Sequence, residues 1–184
     1  ASEEKVLQGG GRDPEVIADL RRRYSRTSSS HDQYVQYHNR PEAAQLFYYV
    51  TKDLVKAPVG FLCVWKSSGV RQRKILPCKL QGYLFGESPI QDLGLQGAGI
   101  FPRIWVEGDE FNAASADESN AFSQVEVCFW HALSQCLPPL RRRELPPATR
   151  GEGPLDELVW PAYRRLAMGA KDSAGILLAI NWHT

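Results

Sequence analysis

No stretch of the sequence approaches the ~18 consecutive apolar residues that a membrane-spanning helix needs, which argues against a membrane-embedded chain. A dominant charge is missing as well. The 22 Lys and Arg against 21 Asp and Glu leave a net charge of +1, so no global field commits the chain to nucleic acid or to a lipid surface. Methionine is nearly absent, with Met168 the single instance. The start is therefore read either as a trimmed Met before Ala1 or as the edge of a piece of a larger protein. The opening Ala1-Ser2-Glu3-Glu4-Lys5 is polar and does not read as a secretory signal.

The familiar catalytic signatures are missing too: there is no P-loop, no Gly-x-Ser-x-Gly elbow, no His-Glu-x-x-His and no Cys-x-x-Cys. Gly94, Gly97 and Gly99 are ordered wrongly for a dinucleotide fingerprint and precede an expected strand, not a helix. No Asn-x-Ser/Thr sequon occurs. Of the four cysteines, Cys128 and Cys136 stand eight residues apart in one expected helix. That is a separation of ~12 Å, against less than ~7 Å for a disulfide. Only a Cys63–Cys78 bridge stays geometrically open. Free thiols and missing sequons together favour an intracellular setting, cytoplasmic or nuclear.

What is present fits one globular domain: 184 residues, 43% hydrophobic and 23% charged. Residues 1–12, with Gly9-Gly10-Gly11, are expected as a flexible lead-in, and residues 13–184 as a single α+β domain. Asp13-Pro14-Glu15 has the form of a helix start, predicting a helix to about Tyr24. Asn39 and Pro41 open a second, with Ala43, Leu46, Phe47, Val50 and Leu54 on a 3.6-residue stripe that ends at Ala57-Pro58. Residues 31–38 are expected to add a turn or short helix before it. Residues 60–65 and 75–85 predict an antiparallel hairpin around Ser67-Ser68-Gly69, and 100–106 a third strand. Asp117 to Leu137 reads as a long helix striped by Phe122, Val125, Phe129, Ala132, Leu133 and Cys136. Residues 138–154 are expected as a mobile Pro/Arg-rich loop, 155–168 to contain a helix interrupted or begun afresh at Pro161, and 175–182 as a closing strand. The order α-α-β-β-β-α-α-β predicts an α+β fold, a mainly antiparallel sheet of about four strands flanked by about four helices.

Three groups of residues invite a chemical reading. Cys128 and His131, three apart on a helix, could meet, but a mid-helix thiol lacks the positive N-terminus that would activate it. Their spacing matches no structural-zinc pattern, so no metal and no cofactor is expected. Glu107, Asp109, Glu110, Asp117 and Glu118 follow a strand end, where carboxylates can hold Mg²⁺ or do acid–base work. The simpler account is a solvated loop leading into a helix N-terminus. The basic tracts carry more: Arg21-Arg22-Arg23 with Arg26, Arg71 to Lys74 with Arg73 between, and Arg141-Arg142-Arg143. Beside the first lies a tyrosine-rich span with Tyr37, Arg40 and Tyr49. Tyr and Arg are enriched in protein–protein hot spots, and arginine on phosphate with aromatic stacking suits single-stranded nucleic acid. The leading expectation is a noncatalytic protein-interaction or regulatory module contacting its partner through these residues. An RNA- or single-stranded-DNA-binding domain comes second, and a small enzyme with an acidic or Cys/His site third.

Overall fold

The computed structural model describes residues 12–67, 69–70, 72–85 and 121–183, with side chains to residue 180. The lead-in through residue 11, the expected strand 100–106, the acidic residues 107–118 and Arg71 lie outside the described residues. Helix α1 (Pro14–Tyr24) starts as its residues dictate: the Asp13 carboxylate accepts the Glu15 N–H at 2.8 Å and proline occupies the first turn. Helix α2 (His31–His38) opens on a capping box in which Ser30 and Gln33 satisfy each other's backbone N–H.

The 3.6-residue stripe that follows does not make the long helix expected of it. Helix α3 is only Ala43–Leu46, and the chain turns at once into strand β1 (Phe47–Val50), then a 3-10 turn at Lys52–Leu54. Phe-Tyr-Tyr-Val is an aromatic and β-branched run, and a sheet partner over a hundred residues away decides its state. That partner is β5 (Leu158–Tyr163), where a helix was expected. It pairs antiparallel with β1 from Phe47↔Tyr163 to Val50↔Trp160, and on its other edge with β4 (Leu140–Arg141) through Leu140↔Val159.

Pro161 thus sits in the central strand of three. Its carbonyl accepts the Leu137 N–H at 2.8 Å, and the ladder resumes at Leu140↔Val159 beyond Pro138 and Pro139. The missing donor therefore falls at a break between paired stretches.

The expected hairpin forms, from β2 (Leu62–Trp65) and β3 (Gln72–Ile75), as a separate two-stranded sheet. Its return strand is not the expected 75–85 but lies earlier, sharing only Ile75 with it; residues 76–78 are not strand and Lys79–Leu84 form helix α4 against α1. The long helix expected to end at Leu137 is two single turns, α5 (Ala121–Gln124) and α6 (Phe129–Ala132). Between them Glu126 and Arg165 form an isolated antiparallel bridge, with Val127 N–H donating to the Arg164 carbonyl and Leu166 N–H to the Val125 carbonyl.

Residues 138–154 are no structureless loop: they hold β4, a 3-10 turn at Arg142–Glu144 and helix α7 (Pro147–Arg150), with Leu140 and Leu145 buried. The closing strand is instead helix α8 (Ser173–His183), a short apolar run that periodicity alone cannot assign.

Among the described residues the class is α+β with antiparallel sheets, as expected. The three-stranded sheet is covered on both faces, as strand alternation requires. Phe47, Tyr49, Val159 and Tyr163 pack with Tyr34 and Phe61 in the larger core. Tyr48, Val50, Trp160 and Ala162 pack with Leu133 and Cys136 on the other side.

Candidate functional site

The three basic tracts meet different fates. Arg22 and Arg23 both hold the Asp19 carboxylate, at 2.6 and 2.8 Å. The Arg22 hydrogen bond, ahead of Arg23, keeps that carboxyl below its ordinary range. Arg21 and Arg26 remain exposed. In the third tract Arg143 pairs with Asp156 at 2.6 Å, Arg141 lies 3.8 Å from the same carboxylate, and Arg142 points inward. With a side chain 8% exposed, Arg142 binds Glu157 and donates to the Arg150 carbonyl, so it serves the fold and is unavailable to a partner. Arg142, expected as a contact residue with Arg141 and Arg143, is thus turned into the fold.

The hairpin's burial gradient divides the second tract. Arg73 is exposed, while its neighbour Lys74 turns inward opposite Cys63. Neither Arg73 nor Lys66 has a carboxylate partner among the described residues. Burial along the hairpin falls from base to tip instead of alternating. Leu62, Cys63, Lys74 and Ile75 are half-buried, whereas Val64, Trp65, Gln72 and Arg73 are exposed. The distal half therefore projects from the body. Trp65 is 66% and Val70 81% exposed, a concentration of apolar surface beside free cations.

The base of this arm is held firmly. Phe61 N–H donates to the Arg26 carbonyl at 2.9 Å, Thr27 bridges Phe61, and Cys63 N–H donates to Ser28 Oγ at 3.1 Å. These bonds set the exposed Arg26 beside the arm's root.

Beneath the hairpin the structure gathers three of the expected site residues, Tyr37, Tyr49 and Lys74, around His38. Lys74 Nζ donates to Tyr163 Oη at 3.0 Å and lies 4.1 Å from that ring's centroid. Ser123 Oγ is 3.3 Å from the same phenol. His38 is 1% exposed, with Nδ1 3.2 Å from Tyr49 Oη and Nε2 without a partner. Burial, and then the nearby Lys74 charge, lowers its pKa to about 3 and keeps it neutral. Burial likewise raises the phenols of Tyr37 and Tyr49, while Lys74 pulls Tyr37 back down. Arg40 stands 6.0 Å over the Tyr37 ring and is exposed.

Cys128 and His131 do not form a site. Cys128 is the exposed N-cap of α6, not a mid-helix residue. His131 turns into a buried cluster, where the Gln81 amide reaches its Nε2 at 3.3 Å and Ser134 Oγ at 2.7 Å. An amide that donates both hydrogens makes that imidazole neutral, with its proton on Nδ1. Burial lowers its pKa in the same sense.

All four cysteines are unbridged. Among the described residues no group of three His, Cys, Asp or Glu stands close enough to hold a metal ion, and no helix is long and apolar enough to cross a membrane.

Trp65, Val70 and Lys66 were not singled out from the sequence, although an apolar pair flanking Ser67-Ser68-Gly69 is an exposed-turn signal. Tyr163 and Ser123 gave no signal, because both fell in segments whose state depends on distant pairing. No protein-family model, no curated protein and no solved structure matches the chain.

Proposed function

We propose that this domain is a noncatalytic protein-binding module whose docking element is the distal half of the β2–β3 hairpin. The observation that carries this is a projecting arm with Trp65 66% and Val70 81% exposed beside Lys66 and Arg73. Trp and Arg dominate hot spots because a rigid aromatic buries a large area and a guanidinium forks onto carboxylates. A complementary partner is an acidic segment with an apolar anchor. Single-stranded nucleic acid stacking on Trp65 is the second reading, since Arg26, Lys66 and Arg73 are cationic. It ranks lower because Arg22, Arg23, Arg141, Arg142 and Arg143 lie against Asp19, Asp156 or Glu157, which leaves few cations to replace counterions on phosphates. The free thiols support a reducing compartment, cytoplasmic or nuclear, for this activity.

The test selects peptides from a random displayed library on the intact chain, then measures their affinity for wild type, Trp65→Ser and Arg73→Glu. Acidic peptides with an apolar anchor should emerge, and Trp65→Ser should weaken them about 30-fold, the roughly 2 kcal/mol of a hot-spot aromatic. Both variants should keep the wild-type melting temperature. Peptides that bind both variants as well as wild type would refute the assignment. A generic single-stranded oligonucleotide, measured at two salt concentrations, would carry the second reading if it bound with a steep salt dependence that is reduced in Arg73→Glu and with an affinity that falls in Trp65→Ser.

A further inference from the structure

Helix α1 ends on Arg21-Arg22-Arg23-Tyr24, and Ser25 follows at once as its C-cap. Three consecutive guanidinium groups therefore stand just ahead of a half-exposed hydroxyl. All three arginines are exposed. The side chains of Arg22 and Arg23 are 70% and 65% accessible, so their ion pairs with Asp19 are surface pairs that a partner can replace at little cost. A carboxylate-lined cleft reads such a tract through forked hydrogen bonds, and charge patterns of this sort decide which hydroxyl a protein kinase modifies.

The local structure lets the segment be presented. Helix α1 contains no buried residue. Its end is fastened by the Ser25 N–H, which donates to the Arg21 carbonyl at 3.2 Å, and by the Ser25 hydroxyl, which donates to the same carbonyl. A helix end without buried contacts opens at small cost. The neighbouring hydroxyls are less suited, because they lie further from the tract and are engaged at the root of the arm. Ser28 Oγ accepts the Cys63 N–H at 3.1 Å, and Thr27 bridges Phe61.

We propose that Ser25 is a phosphorylation site for an arginine-directed protein kinase, and that phosphate there releases the end of α1 that supports the root of the hairpin arm. Ser25 Oγ attacks the γ-phosphorus of ATP, and the Oγ–P bond forms as the bond to the β-phosphate oxygen breaks. The hydroxyl proton passes to the kinase's base and ADP leaves. The esterified oxygen has no hydrogen, so the Arg21 carbonyl loses one of its two donors. A dianion also lies at the negative end of the helix dipole, where it is repelled. Any arginine that turns to the phosphate leaves Asp19, whose ion pairs span the same turn. This turn supports the arm: the Tyr24 and Arg26 carbonyls close on Gly60, and the Arg26 carbonyl accepts the Phe61 N–H at 2.9 Å. The modification is independent of what the arm binds.

The test incubates the full chain with MgATP and the cyclic-AMP-dependent protein kinase, an arginine-directed enzyme, and in parallel with an acidophilic kinase. Fragment mass spectrometry locates the phosphate, and amide hydrogen exchange reads its consequence. The arginine-directed enzyme should modify Ser25 and the acidophilic one should not. Arg22→Ala and Arg23→Ala should each lower kcat/KM about 10-fold, the worth of one charge-assisted hydrogen bond, while Arg141→Ala leaves it unchanged. In the phosphorylated chain the Ser25 and Phe61 amides should exchange faster, and the Leu137 amide, bonded to Pro161 in the other sheet, should not change. No phosphate on Ser25, or an unchanged rate in both tract variants, overturns the site. Unchanged exchange at Ser25 and Phe61 after modification overturns its effect on the arm.

Discussion

Truncating Arg142 separates an arginine that builds the fold from two that decorate it. Its guanidinium binds the Glu157 carboxylate through Nε at 3.2 Å and through Nη2, and donates from Nη1 to the Arg150 carbonyl at 2.6 Å. The backbone joins in, with Arg142 N–H donating to the Glu157 carbonyl at 2.8 Å. The intervening turn wraps the side chain so closely that a Cβ on Gly153, at φ +127°, would lie 3.1 Å from Arg142 Nε. Arg142→Ala removes three charge-assisted bonds and leaves the Arg150 carbonyl and Glu157 short of donors. Breaking a buried pair costs about 3–5 kcal/mol. The Glu157 side chain is 34% exposed and water will recover part of that, so about 2–3 kcal/mol is expected. At roughly 2–4 °C per kcal/mol for a chain this size, the melting temperature should fall by roughly 5–10 °C. Arg141→Ala and Arg143→Ala break exposed contacts to Asp156 and should cost under about 0.5 kcal/mol. Thermal and urea unfolding of the three single variants makes the comparison. If Arg142→Ala melts within a degree or two of the other two, the buried clamp does not stabilise this segment and the reasoning fails.

His38 has a folded-state pKa of about 3, below its ordinary 6.5, so its stabilising contribution is complete above pH 6.5 and is lost as pH falls toward 3. Between pH 7 and 5 this amounts to about 2 kcal/mol, and the acid-side decline in melting temperature should flatten in His38→Phe; an unchanged slope would contradict the neutral buried imidazole. Gly60→Ala should destabilise by about 1–3 kcal/mol, since its Cβ would meet the Tyr24 and Arg26 carbonyl oxygens at 2.6 Å, and a wild-type melting curve would show that this crossing is loose. In the folded protein a thiol reagent should modify exposed Cys128 first and Cys63 more slowly. Burial pushes the Cys78 and Cys136 thiols up to about 12, and labelling of either before unfolding would contradict that packing.

Local chemistry explains which elements were legible in the sequence. The start of α1 needs only Asp13 and Pro14, and the hairpin needs only a strand-forming run and the turn at Ser67-Ser68-Gly69. The elements read wrongly are those whose state is set elsewhere in the chain. Phe47 to Val50 continues a helical stripe, yet its partner is Trp160 to Tyr163. Val125 fits the stripe of a long helix, yet its carbonyl accepts from Leu166 N–H and the nearby Val127 N–H donates to the Arg164 carbonyl. Pro161 reads locally as the interruption or fresh start of a helix, yet it sits in the central strand, where its carbonyl accepts the Leu137 N–H and the prolines after Leu137 lie alongside. Most of these errors exchanged helix for strand and left both kinds of element in the chain, which is why the α+β class survived them.

The candidate site divides along the same line. Composition marked arginine and tyrosine as contact residues, but whether an arginine is free depends on carboxylates the local sequence does not reveal. Asp19 lies within one helix of Arg22 and Arg23, and that pairing was available from i,i+3 and i,i+4 spacing. Asp156 and Glu157 come within reach of Arg141 to Arg143 only because β4 and β5 pair through Arg141↔Leu158. Lys74 and Arg73 are neighbours in sequence with opposite fates, because Lys74 lies in the half-buried base of the hairpin and Arg73 in its exposed distal half. The register Cys63↔Lys74 aims one cation at Tyr163, while Val64↔Arg73 aims the other at solvent. A basic tract is thus a count of charges until a fold assigns each to a face, and here it leaves Arg73 to the projecting arm and Lys74 to the cluster beneath it.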